Sequence, residues 1–280
     1  ILNDFIEVAP AHNYSMLIGS HGMGWVPIGT NVYTRSASIK NIKDKHENSD
    51  KPITRYFGSS NDKDYMIDIQ TLAEGISAVG IKMKYIVYDA CYMSNIETVY
   101  DLKDVTEYFI ASTSEIMGEG MPYNKIGINL LYNDYENIVN NFYSYYSTYS
   151  TPCGTIGVTD CSEVENTVTL MKEINSLYPS GLSSTADIQV LDGFNSPVFY
   201  DFGNYIDSLC TDETLRAQFD EQLEKLVPYK AATETYYYNN YDGNGQKQIN
   251  AFSGITVSDP TTNSSVVSAK TQTNWYKATH

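Results

Sequence analysis

The fold of this chain is decided by the stretch YIVYDACYMS, residues Tyr85–Ser94. Its first four residues, Tyr85–Tyr88, form a continuous run of aromatic and β-branched side chains, as in a buried strand. The strand then gives way to a turn that contains Cys91. Ligands of α/β proteins bind outside the carboxyl ends of the parallel strands. We therefore expect Cys91 to lie at the ligand-binding edge of a sheet.

A second stretch, YSMLIGSHGMGW at Tyr14–Trp25, has the same order of a strand followed by a turn, and its turn contains a histidine. An apolar strand ending at Gly19 is followed by His21 in a glycine-containing turn. Parallel strands end at one edge, so His21 and Cys91 are predicted to meet there as a thiol nucleophile and its acid/base partner. Taken singly, a cysteine such as Cys91 is more often an inert buried thiol, and a histidine such as His21 is at least as often structural. The combination at two strand ends favours catalysis.

The residues around Cys91 indicate how such a thiol could work. Ser94 and Glu97 have the spacing of a capping box, which predicts a helix from just after the cysteine to about Leu102. Its amino end would stabilise a thiolate at Cys91, and the backbone N–H groups of Gly22 and Cys91 could form an oxyanion hole. Asp89 is expected on the same sheet face as Cys91, where it could bind a cationic side chain; alternatively it caps a turn.

Strands and helices alternate along the first part of the chain, which predicts an α/β fold. Between the two motifs, residues 29–64 are polar, dotted with Lys and Arg, and predicted to be a long exposed loop. The other predicted elements are a helix at 67–79, strands at 108–112 and 155–158, helices at 133–149, 160–178, 201–209 and 212–227, and a late strand at 251–257. We divide the chain into a core, residues 1–165, and a mainly helical subdomain with a late strand, residues 166–280.

Composition narrows the function classes. The formal net charge of −16 over 280 residues argues against a nucleic-acid partner and favours basic peptides. No apolar run approaches the ~20 residues of a membrane span. Clusters among the 25 tyrosines, at 143–149 and 236–238, predict polar surfaces and grooves. The chain opens at Ile1 as if in the tail of a helix, and no signal peptide is visible there; we expect that upstream sequence has been removed.

The cysteines lie at 91, 153, 161 and 210, without the spacing of a zinc site or a disulfide framework. No metal site or cofactor is predicted. The stretch DGNG at 242–245 is interpreted as a hairpin turn and not as a calcium loop.

Three ordered motifs resemble the clostripain family of cysteine peptidases, relatives of gingipains and legumains in the caspase-like clan. They are SHGMGW at 20–25, DACYMSNIE at 89–97, and IAS at 110–112 followed by GEGMPY at 118–123. The resemblance extends from about residue 9 to 159, with a fainter echo at 252–257 and at Trp275. It implies a caspase-like α/β/α sandwich with a mostly parallel central sheet and a smaller C-terminal subdomain.

The resemblance also implies an activity: cleavage of peptide bonds after Arg or Lys (the P1 residue) through a thioester acyl-enzyme. On the matching positions, His21 is the general acid/base, Cys91 the nucleophile and Asp89 the main acidic residue of the S1 pocket, which holds the P1 side chain. Glu119 is a second, weaker candidate there. Relatives are often activated by cleavage between the histidine and cysteine strands, so we expect self-cleavage in the 29–64 loop.

Further expectations follow from the resemblance. The protein would be a secreted, periplasmic or cell-surface bacterial enzyme, and a monomer. Relatives carry a strand-and-helix segment before the point where this chain begins, and calcium stimulates some of them. Two other functions are compatible with the motifs: a secreted binding protein that retains the fold without catalysis, and a cysteine transpeptidase.

Overall fold

The computed structural model describes residues 2–28, 30, 32, 66–240 and 243–280. The strands, in chain order, are β1 (Met16–Gly19), β2 (Met83–Asp89), β3 (Thr106–Ala111), β4 (Thr155–Asp160), β5 (Tyr200–Asp201), β6 (Tyr229–Ala232), β7 (Thr235–Asn240), β8 (Gly243–Gln248) and β9 (Thr256–Val257). The helices are α1 (Leu2–Val8), α2 (Ile69–Ser77), α3 (Ile96–Leu102), α4 (Tyr123–Leu131), α5 (Tyr135–Ser147), α6 (Val164–Leu177), α7 (Phe202–Leu209), α8 (Glu213–Leu226), α9 (Val267–Lys270) and α10 (Asn274–Thr279).

The central sheet has five strands in the order β1-β2-β3-β4-β6. Strands β1, β2 and β3 are parallel, with Gly19 of β1 opposite Asp89 of β2. Strand β4 is antiparallel to both its neighbours, so β6 points the same way as β1–β3. Beside this sheet lie the pair β5-β9 and the hairpin β7-β8. The mostly parallel sheet confirms the predicted fold class.

Helices cover both faces of the sheet. Successive side chains of a strand point to opposite faces, so one strand contributes to the apolar clusters on both sides. In β2, Ile86 and Tyr88 pack into one apolar cluster together with residues of α2, α3, α6, α7 and α8. Tyr85 and Val87 pack into the other cluster, with residues of α4 and α5. The result is an α/β/α sandwich in which β2 is buried on both sides.

Most of the predicted elements are present, and the differences have physical causes. Helices α4, α9 and α10 and strands β5 and β6 were not predicted, and within the late strand predicted at 251–257 only β9 is paired. A hairpin is present, but its predicted turn at 242–245 was misplaced: residues 243–245 belong to strand β8 and pair with β7. Residues 241–242, between the two strands, lie outside the described part of the chain. The loop at 29–64 likewise falls outside it, apart from residues 30 and 32.

The prediction for the tyrosine clusters was partly wrong. Tyr146, Tyr236 and Tyr237 are buried. Their rings can enter the interior because their hydroxyls find acceptors there: Tyr146 donates to the Gly120 carbonyl at 2.7 Å and Tyr236 to the Asp192 carbonyl at 3.0 Å. The division of the chain at residue 165 stays a prediction. The later part contributes β6 to the central sheet as well as helices α7 and α8.

Candidate active site

The two predicted motifs meet where β1 and β2 end. The Ser20 N–H donates to the Asp89 carbonyl at 3.2 Å, which continues the parallel pairing beyond the last residue of β1. Gly22 lies directly against the carbonyl oxygen of Cys91, and a Cβ at this position would overlap it. His21, half-buried between these two residues, is therefore held at the same sheet edge as Cys91. Only glycine allows the histidine loop to approach the cysteine turn this closely.

The cysteine turn is held by the segment that follows β3. The Cys91 sulfur accepts the Ile116 N–H at 3.4 Å and lies 3.8 Å from the Ile116 carbonyl oxygen. The next residue, Tyr92, adopts a left-handed backbone conformation with φ of 59°. Its N–H donates to the Ser114 carbonyl at 3.1 Å. These backbone contacts, which the sequence did not reveal, determine where the sulfur lies.

Helix α3 begins differently from the prediction. The N-cap is Asn95, whose side chain accepts the Thr98 N–H at 2.8 Å, so the capping box of Ser94 and Glu97 was wrong. Both residues are engaged by the distant segment at 254–258 instead. The Ser94 hydroxyl donates to the Gly254 carbonyl at 2.8 Å, and Glu97 accepts the Ser258 N–H at 2.7 Å. Tertiary contacts have replaced the local cap.

The same segment supports the histidine loop. The Trp25 indole N–H donates to the Ser258 hydroxyl at 2.8 Å, in the interior. Ser258 therefore connects the loop that carries His21 with Glu97 on the helix after Cys91. The segment at 254–258, which overlaps the faint sequence similarity at 252–257, therefore contacts both the histidine loop and the helix after Cys91.

Asp89 is buried, with 2% of its surface exposed, and its carboxylate faces the loop at 118–121. One carboxylate oxygen accepts the Met121 N–H at 2.9 Å. The carboxylate also lies against Gly120, whose φ of 67° and lack of a side chain leave room for it. A buried carboxylate thus borders a glycine loop two residues before the cysteine.

Glu119 lies beside this loop but in a different environment. It is exposed, and both of its carboxylate oxygens are 3.1 Å from the Tyr149 hydroxyl, which donates to them. Burial, together with the charge of Glu119, raises the pKa of Tyr149 to about 12, so the phenol remains a donor at neutral pH. Of the two predicted acidic residues, only Asp89 is shielded from water.

The described residues contain no group of three or more His, Cys, Asp or Glu side chains arranged to hold a metal ion. The four cysteines are all buried, and none of them takes part in a disulfide among the described residues. Among the described helices, none combines the length and the apolar character that a membrane crossing needs.

The model of the clostripain family matches residues 2–273, nearly the whole chain. The chain belongs to the clostripain family. It is a cysteine peptidase, and the predicted family and enzyme class are confirmed. No curated protein sequence matches the chain.

Solved structures of clostripain-family proteases share the fold. The secreted cysteine protease iotapain from Bacteroides thetaiotaomicron is 51% identical; the match covers 100% of this chain and 75% of that one, with a TM-score of 0.84. A clostripain from the same species, in complex with the peptide inhibitor BTN-VLTK-AOMK, is 55% identical over 80% of this chain and 99% of that one, with a TM-score of 0.75. An inactive zymogen from Parabacteroides distasonis is 25% identical over 100% of this chain and 73% of that one, with a TM-score of 0.79.

Proposed function

We propose that this clostripain-family peptidase is an endopeptidase that cleaves after Lys or Arg, with Cys91 as nucleophile and His21 as general acid/base. The observation that carries the proposal is the buried Asp89 carboxylate, which borders the Gly120 loop at the strand end that bears Cys91. A buried carboxylate is stable only when paired or hydrogen-bonded. The Met121 N–H donates one such bond, and a substrate ammonium or guanidinium group would bind the same carboxylate as a charged partner.

The inhibitor bound to the 55% identical relative supports the basic preference. Its peptide, VLTK, has lysine next to the AOMK group. Because the two chains share this degree of identity, we extend a lysine preference to this chain and expect arginine to be accepted by the same carboxylate. Glu119, exposed and bound to Tyr149, would act on the basic side chain from the rim of the pocket.

The reaction would proceed in two steps. The Cys91 thiolate attacks the peptide carbonyl, and a C–S bond forms while the N–H groups of Gly22 and Cys91 stabilise the oxyanion. The C–N bond then breaks as protonated His21 gives its proton to the departing amine. In the second step His21 takes a proton from water, the hydroxyl attacks the thioester, and the C–S bond breaks to release the acid and the thiolate.

We further propose that cleavage within residues 29–64 activates the enzyme. Cys91 and Asp89 are each only 2% exposed, so a substrate needs the site to open. Val32, at the beginning of this interval, is 1% exposed and belongs to the same apolar cluster as Cys91 and Trp25. A relative has been obtained as an inactive zymogen. The interval is also rich in Lys and Arg, the residues after which the enzyme would cut.

Secretion is proposed on the basis of the relative that is described as a secreted protease. An acidic enzyme outside the cell would act on proteins and peptides with basic residues. We propose that it does so as a monomer.

The test is hydrolysis of matched reporter peptides that end in Lys, Arg or Ala before the reporter group. Cys91→Ala should abolish turnover, whereas Cys161→Ala, on the opposite face of the sheet, should retain it. Full turnover by Cys91→Ala would refute the assignment. Sequencing new amino termini after incubation tests self-cleavage: a wild-type cut within 29–64 that Cys91→Ala lacks supports it. An acyl-amine product formed with added amine would indicate a transpeptidase instead.

A further inference from the structure

Tyr92, the residue after the proposed nucleophile, is held from both sides. Its left-handed backbone conformation is unfavourable for a side chain with a Cβ and persists only where the surroundings enforce it. The ring stacks on Phe199 at a centroid distance of 5.4 Å and an interplanar angle of 9° and contacts Phe194 at 5.4 Å. The Asn95 side chain donates to the Tyr92 carbonyl at 2.8 Å. The conformation of this residue is therefore fixed by several independent contacts.

The hydroxyl of Tyr92 makes the most unusual of these contacts. It donates to a carboxylate oxygen of Glu115 at 2.6 Å, and both residues are buried. The same oxygen accepts the Asn239 N–H from strand β7 at 2.9 Å, whereas Oε2 is buried and has no hydrogen-bond partner among the described residues. Burial raises the pKa of Glu115 to about 7, and the two donated hydrogen bonds oppose this rise. A carboxyl group at this position costs free energy, so a role beyond packing is expected of it.

The position of Glu115 suggests that role. Ser114, Glu115 and Ile116 are consecutive, and each contacts the cysteine turn: Ser114 through the Tyr92 N–H, Glu115 through the Tyr92 hydroxyl, and Ile116 through the Cys91 sulfur. Any displacement of Glu115 relative to Tyr92 would move the Ile116 N–H relative to the sulfur. Displacements of about 1 Å at a reacting centre can reduce rates about a hundredfold.

We propose that Tyr92 and Glu115 are a pair of positioning residues. They fix the position of the Cys91 sulfur relative to the Ile116 N–H and so place the sulfur for attack. This proposal rests on the proposed function, in which Cys91 is the nucleophile. The two residues touch neither substrate nor reacting atoms. They act on the rate of attack by Cys91 and leave substrate binding at the Asp89 pocket unchanged.

The test uses the irreversible inhibitor BTN-VLTK-AOMK. The kinetics with which it inactivates the enzyme give two separate constants: kinact, the rate constant of the covalent step, and KI, which describes reversible binding. Tyr92→Phe keeps the ring between Phe194 and Phe199 and removes only the hydroxyl. We expect kinact to fall about tenfold and KI to stay within twofold of wild type. Glu115→Gln should act in the same direction. The double variant should be no more than threefold slower than Tyr92→Phe, because both changes remove one interaction.

The matched control is Tyr85→Phe, which also removes a buried tyrosine hydroxyl, one that donates to the Leu130 carbonyl at 3.1 Å. Its kinact should stay within twofold of wild type although its stability falls, since a general loss of stability does not slow attack by correctly folded molecules. A fall in kinact of less than fivefold for Tyr92→Phe, or an equal fall for Tyr85→Phe, would overturn the positioning role. Labelling of Cys91→Ala would instead overturn the proposed function itself.

Discussion

Replacing Asp89 by Asn tests the origin of specificity with little disturbance of the fold. The carboxylate accepts the Met121 N–H at 2.9 Å and lies against Gly120. Asparagine has nearly the same volume, and its oxygen can accept the same N–H. The substitution removes one negative charge from a position that is 2% exposed. Asp89→Ala would be a poorer test, because it leaves the Met121 N–H unpaired and creates a cavity.

The magnitude follows from burial. Removing one partner of a buried, hydrogen-bonded charge pair costs about 2–5 kcal/mol. At ~1.4 kcal/mol per tenfold change, the lower half of this range corresponds to a loss of roughly 30- to 300-fold in kcat/KM for substrates with Lys or Arg before the scissile bond. A substrate with an uncharged residue of similar length there, such as norleucine, makes no ion pair and should lose less than threefold.

The assay is the ratio of kcat/KM for lysine and norleucine reporters, measured in wild type and variant at one ionic strength. Glu119→Gln is the matched control, since Glu119 is exposed and its effect is screened by water and salt. An exposed pair contributes at most ~1 kcal/mol, so this variant should lose less than about fivefold. If Asp89→Asn retains the wild-type ratio while Glu119→Gln loses it, the assignment of the two acidic residues is wrong.

Two further variants test the packing of the site and the cost of its buried charge. Gly22→Ala places a methyl group onto the Cys91 carbonyl and should lower kcat/KM at least about a hundredfold. The control is Gly75→Ala in α2, where a Cβ meets nothing within 4 Å, and it should leave peptide hydrolysis unchanged. Equal activities of the two variants would refute the close approach of Gly22 to Cys91. Burial, with the nearby charge of Asp259, raises the pKa of Glu97 to about 8, although Lys270 opposes this rise. The native state therefore holds this proton more tightly than the unfolded chain, and the contribution to stability is lost as the pH rises from about 5 to 8. Glu97→Gln lacks this titrating group and should not show the loss. The free energy of unfolding of the variant minus that of wild type, measured in urea, should therefore rise by about 3 kcal/mol from pH 5.5 to pH 8.5. If this difference does not change with pH, the pKa of Glu97 is not raised.

The strands that form the site could be predicted from the sequence because their signal is local. Residues 85–88 are apolar on both faces, and β2 is buried on both faces. Helix α4 escaped prediction for the opposite reason. Ile126 and Leu130 point inward, but Ile128 and Leu131 on the same helix are 59% and 77% exposed. The two exposed apolar residues blur the inward-facing stripe of this short helix, so its 3.6-residue periodicity is easily missed.

The positions of His21, Cys91 and Asp89 could be predicted to the sheet edge, since parallel strands end together. The geometry at that edge could not. Ser94 has the sequence position of a helix cap, yet its hydroxyl bonds to Gly254, which is 160 residues away along the chain. A cap competes with any other partner for the same side chain, and the outcome depends on tertiary packing that no local pattern records.

Glu115 carries no local signal in the sequence either. It is one polar residue in a run between a strand and a glycine loop, and nothing in its neighbours marks it as buried. Its environment is created by Tyr92 from the cysteine turn and by Asn239 from the hairpin, which is 124 residues further along the chain. Glu115 therefore joins the hairpin to the turn that carries the nucleophile. If it positions Cys91 as proposed, a substitution that displaces β7 at Asn239 should lower kinact for the irreversible inhibitor, because the Asn239 N–H donates to Glu115; an unchanged kinact would contradict this link.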